Sequence, residues 1–172
     1  MGWGMLLINY TAMKKNFDSW NERKKKIEER KPHHYREGEV WWCSLGVNVG
    51  WEQDGKGYNS ERPVVIIKGF KKDLLLSVAI IGRKKEGLYY YYLGRITDRD
   101  STAVLSQIRL IDTRRLTKRM GVLKTRVFWE LKDKIEQLIF GRKLFCPCKC
   151  RGGPEGISLP LHFVKEGSED LH

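Results

Sequence analysis

Five short runs of β-branched, aromatic and other apolar residues occupy the middle of the sequence, separated by polar or glycine-containing segments. They are 39–45, 63–67, 73–81, 88–93 and 102–111. Short strands at this spacing predict a small all-β barrel or sandwich. The polar, glycine-bounded segment GRKKEG at 82–87 predicts an antiparallel hairpin between the third and fourth runs.

Two segments outside these runs have helical periodicity. Residues 13–31 place Phe17, Trp20 and Ile27 near one narrow stripe, among many charges, and Pro32 follows. Residues 125–140 have a wider apolar stripe, which predicts a helix that packs on the core. Its members are Phe128, Leu131, Ile135, Leu138 and Ile139.

These patterns divide the chain into three parts. Residues 1–35 form an N-terminal extension with a basic helix, and residues 36–140 form a mainly β domain with a C-terminal helix. Residues 141–172 contain turn-forming sequence such as CPCKCRGGPEG without a sustained period, so we expect a poorly ordered tail.

The charge balance restricts the class of partner. The chain has 172 residues, of which 33 are Lys or Arg and 21 are Asp or Glu, giving a formal net charge of +12. Such an excess favours nucleic acid or an anionic membrane surface. No apolar run is long enough to span a membrane, and the first residues lack the features of a signal peptide. We expect a cytoplasmic protein and no membrane partner.

The four cysteines give little indication of a metal. Cys43 lies alone in an apolar run, which indicates a small buried side chain. Cys146, Cys148 and Cys150 alternate with other residues, whereas structural zinc sites commonly use C-x-x-C spacing. We therefore expect reduced thiols, no metal and no cofactor.

Arg62 lies immediately before Pro63 and an apolar run. A residue before proline favours extended backbone, and proline is tolerated at the start of a strand. Arg62 is therefore predicted at a junction between the long glycine-rich segment 46–61 and a strand. Two interpretations remain open, namely a surface arginine paired with Glu61 or Asp54, and a cation directed at an anionic ligand.

Three motifs in order resemble the MazF/PemK family of toxins from type II toxin–antitoxin modules. They are GWEQDGKG at 50–57, ERPVV at 61–65 and LSQIRLIDTRRL at 105–116. The similarity runs from about Gly38 to Leu138, and the N-terminal helix resembles a longer PemK-like subgroup. The resemblance implies a small SH3-like barrel of the CcdB/MazF/PemK type, with peripheral helices, and a homodimer.

The resemblance also implies an activity and partners. Family toxins are metal-independent endoribonucleases that cut single-stranded mRNA at short sequences, leaving 2′,3′-cyclic phosphate and 5′-hydroxyl ends. A cognate antitoxin protein inhibits the toxin, and DNA is contacted only through the toxin–antitoxin complex. Two other functions stay open: a non-catalytic RNA- or protein-binding member of the same barrel superfamily, and a CcdB-like gyrase inhibitor.

Three positions carry the implied catalysis. The family's R-P-V arginine, which stabilises charge on the phosphate, maps onto Arg62, and a guanidinium suits that task because it is permanently charged and binds two oxygens. The family's next catalytic residue is a threonine or serine, and Ile81 occupies that position. Ile81 has no hydroxyl, which puts full activity in question. Ser106 stands where some members have an aspartate. Its alternative role is to form hydrogen bonds with backbone groups at the end of the strand.

Seven further residues are candidates for RNA binding. An aromatic ring beside hydrogen-bonding side chains is typical of single-strand recognition, although the tryptophan could instead anchor the loop. Arg109 and Arg114 could equally form surface ion pairs. The candidates are Trp51, Glu52, Gln53, Lys56, Gln107, Arg109 and Arg114.

Overall fold

The computed structural model describes residues 15–141. These residues form two helices, six strands and one 3-10 turn. In chain order they are α1 (Phe17–Glu28), β1 (Glu39–Ser44), β2 (Glu61–Lys71), β3 (Leu74–Ile81), β4 (Tyr90–Ile96), β5 (Arg99–Asp112), the 3-10 turn (Thr113–Arg115), β6 (Leu116–Val122) and α2 (Thr125–Phe140). The predicted tail with Cys146, Cys148 and Cys150 lies outside the described residues.

The six strands form one antiparallel sheet in the order β4-β5-β3-β2-β1-β6. The predicted mainly β fold with peripheral helices is confirmed. The sheet is open, because β4 and β6 are its two edges and do not pair with each other. Neither helix within residues 15–141 is long and apolar enough to cross a membrane.

The predicted hairpin between 73–81 and 88–93 is wrong. β3 and β4 do not pair, because β5 lies between them and pairs with both. The hairpin instead joins β4 to β5 through Thr97 and Asp98, which have φ angles of 46° and 63°. Two central residues with positive φ are the signature of the tight hairpin turn whose twist suits paired strands.

Two apolar clusters cover the two faces of the sheet. On β2, Val65 and Ile67 belong to one cluster, and Val64 and Ile66 belong to the other, since successive strand side chains point to opposite faces. Burial on both faces explains why the run after Pro63 is continuously apolar instead of alternating.

The helix α2 covers one of these clusters. Its predicted apolar stripe is largely confirmed, since Leu131 and Ile135 are buried in the cluster and Phe128 and Leu138 pack against it. Ile139 is the exception and is 53% exposed. Gly141 ends the helix in a left-handed conformation, donating its N–H to the Gln137 carbonyl.

Asn16 caps the start of α1, and its side chain accepts a hydrogen bond from the Ser19 N–H. Trp20 and Ile27 are its buried residues. Gly46, just after β1, has a φ of +85°, and a Cβ at this position would lie 2.0 Å from a ring carbon of Trp20. The helix therefore packs directly on the start of the loop between β1 and β2.

Candidate active site

Arg62 is the second residue of β2 and pairs across the sheet with Cys43 of β1. Its side chain is almost fully buried, with 6% exposure. The Nε atom donates a hydrogen bond of 2.7 Å to the Asp54 carbonyl oxygen. Burial lowers the pKa of the guanidinium from its ordinary value, while the Asp54 carboxylate opposes that effect. Since arginine titrates far above neutrality, Arg62 stays charged.

Among residues 15–141, no carboxylate lies within ion-pair distance of Arg62. The predicted alternative of a surface ion pair with Glu61 or Asp54 is therefore wrong, since the contact with Asp54 is to its backbone. A buried cation without a carboxylate partner is costly unless a ligand supplies the opposite charge. This arrangement favours the interpretation of Arg62 as a cation directed at an anion.

Arg62 lines a cleft of about 530 Å³ to which all six strands contribute. Residues of both edge strands, Tyr90 and Ile96 of β4 and Met120 of β6, reach this cleft, so the open sheet is strongly curved. Its described lining holds five cationic side chains and one carboxylate, Glu61. The cations are Lys56, Arg62, Arg83, Lys85 and Arg99. Such a lining suits a polyanion.

Ile81, the last residue of β3, also lines the cleft. It pairs with Thr102 of β5, but the Thr102 hydroxyl is fully buried and donates to the Arg83 carbonyl at 2.8 Å. The position that the family resemblance assigns to a catalytic hydroxyl is therefore apolar. The cleft does contain other hydroxyl groups, on Tyr90, Thr97 and Ser101.

The loop between β1 and β2 carries four of the predicted RNA-binding residues. Gln53 and Lys56 line the cleft beside Arg62. Trp51 is 89% exposed, so the alternative in which its ring anchors the loop on the sheet is wrong. Glu52 is exposed and lies 3.9 Å from Arg109. This loop therefore presents an aromatic ring to solvent next to the cationic cleft.

Gln107 and Arg109 of β5 hold that loop instead of lining the cleft. The Gln107 side chain accepts from the Gln53 N–H at 2.9 Å and donates to the Trp51 carbonyl at 3.3 Å. Arg109 donates to the Asn48 side chain at 3.0 Å. Ser106, the weaker catalytic candidate, is exposed on the same strand and is not among the residues that line the cleft.

Asp54 links the loop, the helix and the site. Its carboxylate accepts from the Asn48 N–H at 2.6 Å and forms an ion pair of 2.7 Å with Lys15, just before α1. Its carbonyl oxygen accepts the hydrogen bond from the Nε of Arg62. The orientation of the buried guanidinium therefore depends on how this loop is fastened.

Arg114 lies apart from the cleft. In the 3-10 turn it pairs with Glu28 of α1 and, at 3.2 Å, with Asp112. These carboxylates raise the pKa of Arg114 from its ordinary value, chiefly through the hydrogen bond with Glu28. Of the two interpretations given above, the structure favours the ion pair, which joins the helix to the domain.

Sequence reasoning missed the contribution of the β3–β4 connection and of the β4–β5 hairpin. Arg83, Lys85, Tyr90 and Arg99 all line the cleft. For Arg83 and Lys85 the available signal was the density of basic residues in GRKKEG, which is equally typical of a solvated connection. Within residues 15–141, no group of three or more His, Cys, Asp or Glu side chains is arranged to hold a metal ion.

Comparison with solved structures finds matches of low sequence identity, including the following three. MazF from Deinococcus radiodurans has a TM-score of 0.49 at 18% identity, over 62% of this chain and 96% of that one. An endoribonuclease from a mycobacterial species has a TM-score of 0.48 at 10% identity, over 63% and 94%. An endoribonuclease in complex with its cognate antitoxin, also mycobacterial, has a TM-score of 0.47 at 11% identity, over 60% and 93%.

Comparison with curated proteins finds no match. The family model described as the PemK-like, MazF-like toxin of type II toxin–antitoxin systems matches residues 36–139. The match covers more than half of the chain and includes the whole sheet, the loop between β1 and β2, and all of α2 except its last residue, while α1 lies outside it. The chain therefore belongs to the PemK-like, MazF-like toxin family.

Proposed function

We propose that this protein is a toxin whose cleft cleaves single-stranded mRNA in the cytoplasm. The observation that carries the proposal is the Arg62 guanidinium. It is buried, its Nε is hydrogen-bonded to the Asp54 carbonyl, and no carboxylate of residues 15–141 lies within ion-pair distance of it. It lies in a cleft with four further cations. Membership of the toxin family, which includes endoribonucleases, supports the same function.

The proposed chemistry uses the RNA's own nucleophile. The 2′-oxygen attacks the adjacent phosphorus while it loses its proton, and the bond from phosphorus to the 5′-oxygen breaks as that oxygen gains one. The products are a 2′,3′-cyclic phosphate and a 5′-hydroxyl, and no metal takes part. Arg62 stabilises the added negative charge on the phosphate, which is usually a large part of catalysis.

The loop between β1 and β2 supplies recognition in this proposal. Trp51 stacks on a base, since an exposed ring beside a cationic groove suits single strands. Gln53 and Lys56 contact the strand inside the cleft. Glu52, Gln107 and Arg109 act by setting the position of the loop, and Arg114 takes no part in binding.

A cleavage assay with mapped product ends tests the function. Long single-stranded RNA is incubated with the protein in excess chelator, and the fragments are tested for cyclic phosphate and 5′-hydroxyl ends. We expect cleavage by the wild-type protein and loss of cleavage in Arg62→Ala. Arg126→Ala is the matched control, because Arg126 is exposed on α2 and pairs with Glu130 away from the cleft. Equal activity of the two variants would refute the role of Arg62.

Ile81 favours a second candidate function, that of an RNA-binding member without catalysis. An isoleucine cannot take part in proton transfer, whereas the cationic cleft would still hold a strand. Binding of RNA that depends on Arg62, with intact RNA recovered after prolonged incubation at high enzyme concentration, would favour this candidate over the nuclease.

We further propose a cognate antitoxin and a homodimer. An acidic segment of the antitoxin would occupy the cleft, because five cations there face one carboxylate. Any contact with DNA would come only through the toxin–antitoxin complex. Light scattering of the purified protein gives its mass in solution, and a monomer at working concentration would refute the dimer.

A further inference from the structure

Lys85 and Tyr90 form a pair in the cleft that the proposed catalysis does not use. The Lys85 Nζ donates to the Tyr90 hydroxyl at 2.6 Å and lies 4.0 Å from the centre of the same ring. Both residues line the same cleft as Arg62. Within residues 15–141, no carboxylate lies within ion-pair distance of Lys85.

The backbone around Lys85 is fixed to the sheet. Its N–H donates to the buried Thr102 hydroxyl at 3.3 Å, and that hydroxyl donates to the Arg83 carbonyl at 2.8 Å. These two hydrogen bonds hold the connection between β3 and β4 at Arg83 and at Lys85. The Lys85 side chain therefore extends from a backbone that is hydrogen-bonded to β5. Its ammonium contacts the ring of Tyr90, which also lines the cleft.

The hydrogen bond determines what the tyrosine can offer. Since an ammonium has only donors, Tyr90 must accept from Lys85, which leaves the phenol proton available for a second partner. The remaining ammonium protons and this phenol proton are all donors. A pair that offers only donors, carries a positive charge and has no carboxylate within ion-pair distance among residues 15–141 selects an anionic acceptor such as a phosphate oxygen.

We propose that Lys85 and Tyr90 form a second phosphate-binding subsite of the cleft, which holds a phosphodiester of the bound strand other than the one at Arg62. This inference rests on the proposed function for the identity of the strand. The Tyr90 hydroxyl also supplies the cleft with a hydrogen-bond donor, which the Ile81 side chain cannot supply. The subsite fixes the register of the strand, so that the scissile phosphate reaches Arg62.

The salt dependence of binding tests the subsite separately from cleavage. The probe is a single-stranded DNA oligonucleotide, which lacks the 2′-hydroxyl and cannot be cut by the proposed chemistry. The dissociation constant is measured by fluorescence anisotropy at several salt concentrations for wild type, Lys85→Gln and Lys84→Gln. Lys84→Gln is the matched control, since Lys84 is the adjacent residue, lies 3.4 Å from Glu86 and does not line the cleft.

We expect Lys85→Gln to reduce the slope of log affinity against log salt by about 0.7, the value for one phosphate contact with a single strand. Lys84→Gln should leave the slope unchanged. The same slope for both variants, or no binding of the oligonucleotide by the wild-type protein, would overturn the subsite.

A second pair of variants tests the hydroxyl. Tyr90→Phe should weaken binding roughly fivefold, the effect of one lost hydrogen bond. Tyr92→Phe should have no effect, because the Tyr92 hydroxyl donates to Asp100 outside the cleft. Equal effects would refute the role of Tyr90.

The cleavage assay separates the two proposals. If RNA is cut but the Lys85 variant keeps the wild-type slope, the subsite is wrong and the nuclease stands. If Lys85 carries a phosphate contact but RNA stays intact, the subsite stands and the nuclease is wrong.

Discussion

At the scale of single residues, Ile81 gives the sharpest test of how the site works. It lines the cleft that contains Arg62 and ends β3. Ile81→Thr would place a hydroxyl there while keeping a β-branched side chain that suits a strand. We expect the rate constant of RNA cleavage to rise about 10²-fold, the lower end of what a positioned proton-transfer group contributes. Single-turnover kinetics in chelator measure this rate constant.

The control for this change is Ile81→Val. Valine matches threonine closely in shape and lacks only the hydroxyl. If both variants cut RNA at the same rate, the added space would explain the effect and the chemistry would lie elsewhere in the cleft.

Cys43 provides a second prediction at this scale. Its thiol is fully buried, and burial raises its pKa from the ordinary value of 9.0 to about 12, against a smaller opposing effect of Arg115 and Arg109. Because the thiolate is the reactive form, Cys43 should resist iodoacetamide at pH 9 in the folded protein. Mass spectrometry of its peptide, with and without guanidinium chloride, measures the protection. Rapid labelling without denaturant would contradict the buried environment.

The same pKa shift sets a direction for stability. The folded state binds the thiol proton more tightly than the unfolded state does. The contribution of Cys43 to the free energy of unfolding is therefore complete below about pH 9. That contribution is lost progressively as the pH rises toward 12.

The residues of the candidate site were partly predictable. Gln53, Lys56 and Arg62 belong to two motifs that are close together in sequence, and Ile81 is the position that the family resemblance assigns to a hydroxyl. The structure places all four in one cleft. Lys85 could not be selected in this way. It lies in the connection between β3 and β4, which is hydrogen-bonded to Thr102 of β5, and a contact between residues this far apart in sequence leaves no local signal.

At the scale of elements, the packing of α1 on the start of the β1–β2 loop is open to a direct test. Gly46→Ala would place a Cβ 2.0 Å from Trp20, and the residue has a positive φ. We expect Trp20 to be displaced and the amides of α1 to exchange hydrogen faster. The control is Gly50→Ala, which also has a positive φ but has open space around it.

The difference between the two glycine variants isolates the clash, because the backbone cost of alanine at positive φ is common to both. We expect the free energy of unfolding of Gly46→Ala to be about 2 kcal/mol lower than that of Gly50→Ala, because overpacking usually costs about that much. Equal stability and equal exchange would show that the helix does not depend on this contact.

The elements themselves were predicted better than their pairing. The apolar runs correctly indicated β1 to β5, since burial on one or both faces leaves a local signal. β6 was not predicted, because Leu116 is its only fully buried side chain. The true hairpin turn uses Thr97 and Asp98 where Asn-Gly or Asp-Gly would be the recognisable signal.

At the scale of the whole molecule, both core clusters are built from residues between 35 and 138. A chain that ends at Gly141 keeps every member of the clusters, together with the residue that caps α2. We therefore expect this shortened chain to unfold at the same temperature as the full chain and to cleave RNA at the same rate. Thermal denaturation followed by circular dichroism, with the cleavage assay, measures both.

A chain that ends at Lys134 is the matched comparison. It loses Ile135, which is buried in the cluster beneath α2, and Leu138, which packs against it. Removing one such side chain costs about 2 kcal/mol or more, so the midpoint should fall by about 5 °C or more. If ending the chain at Gly141 lowered the midpoint as much as ending it at Lys134, residues 142–172 would be part of the folded unit. The division into a complete domain and a dispensable tail would then be wrong.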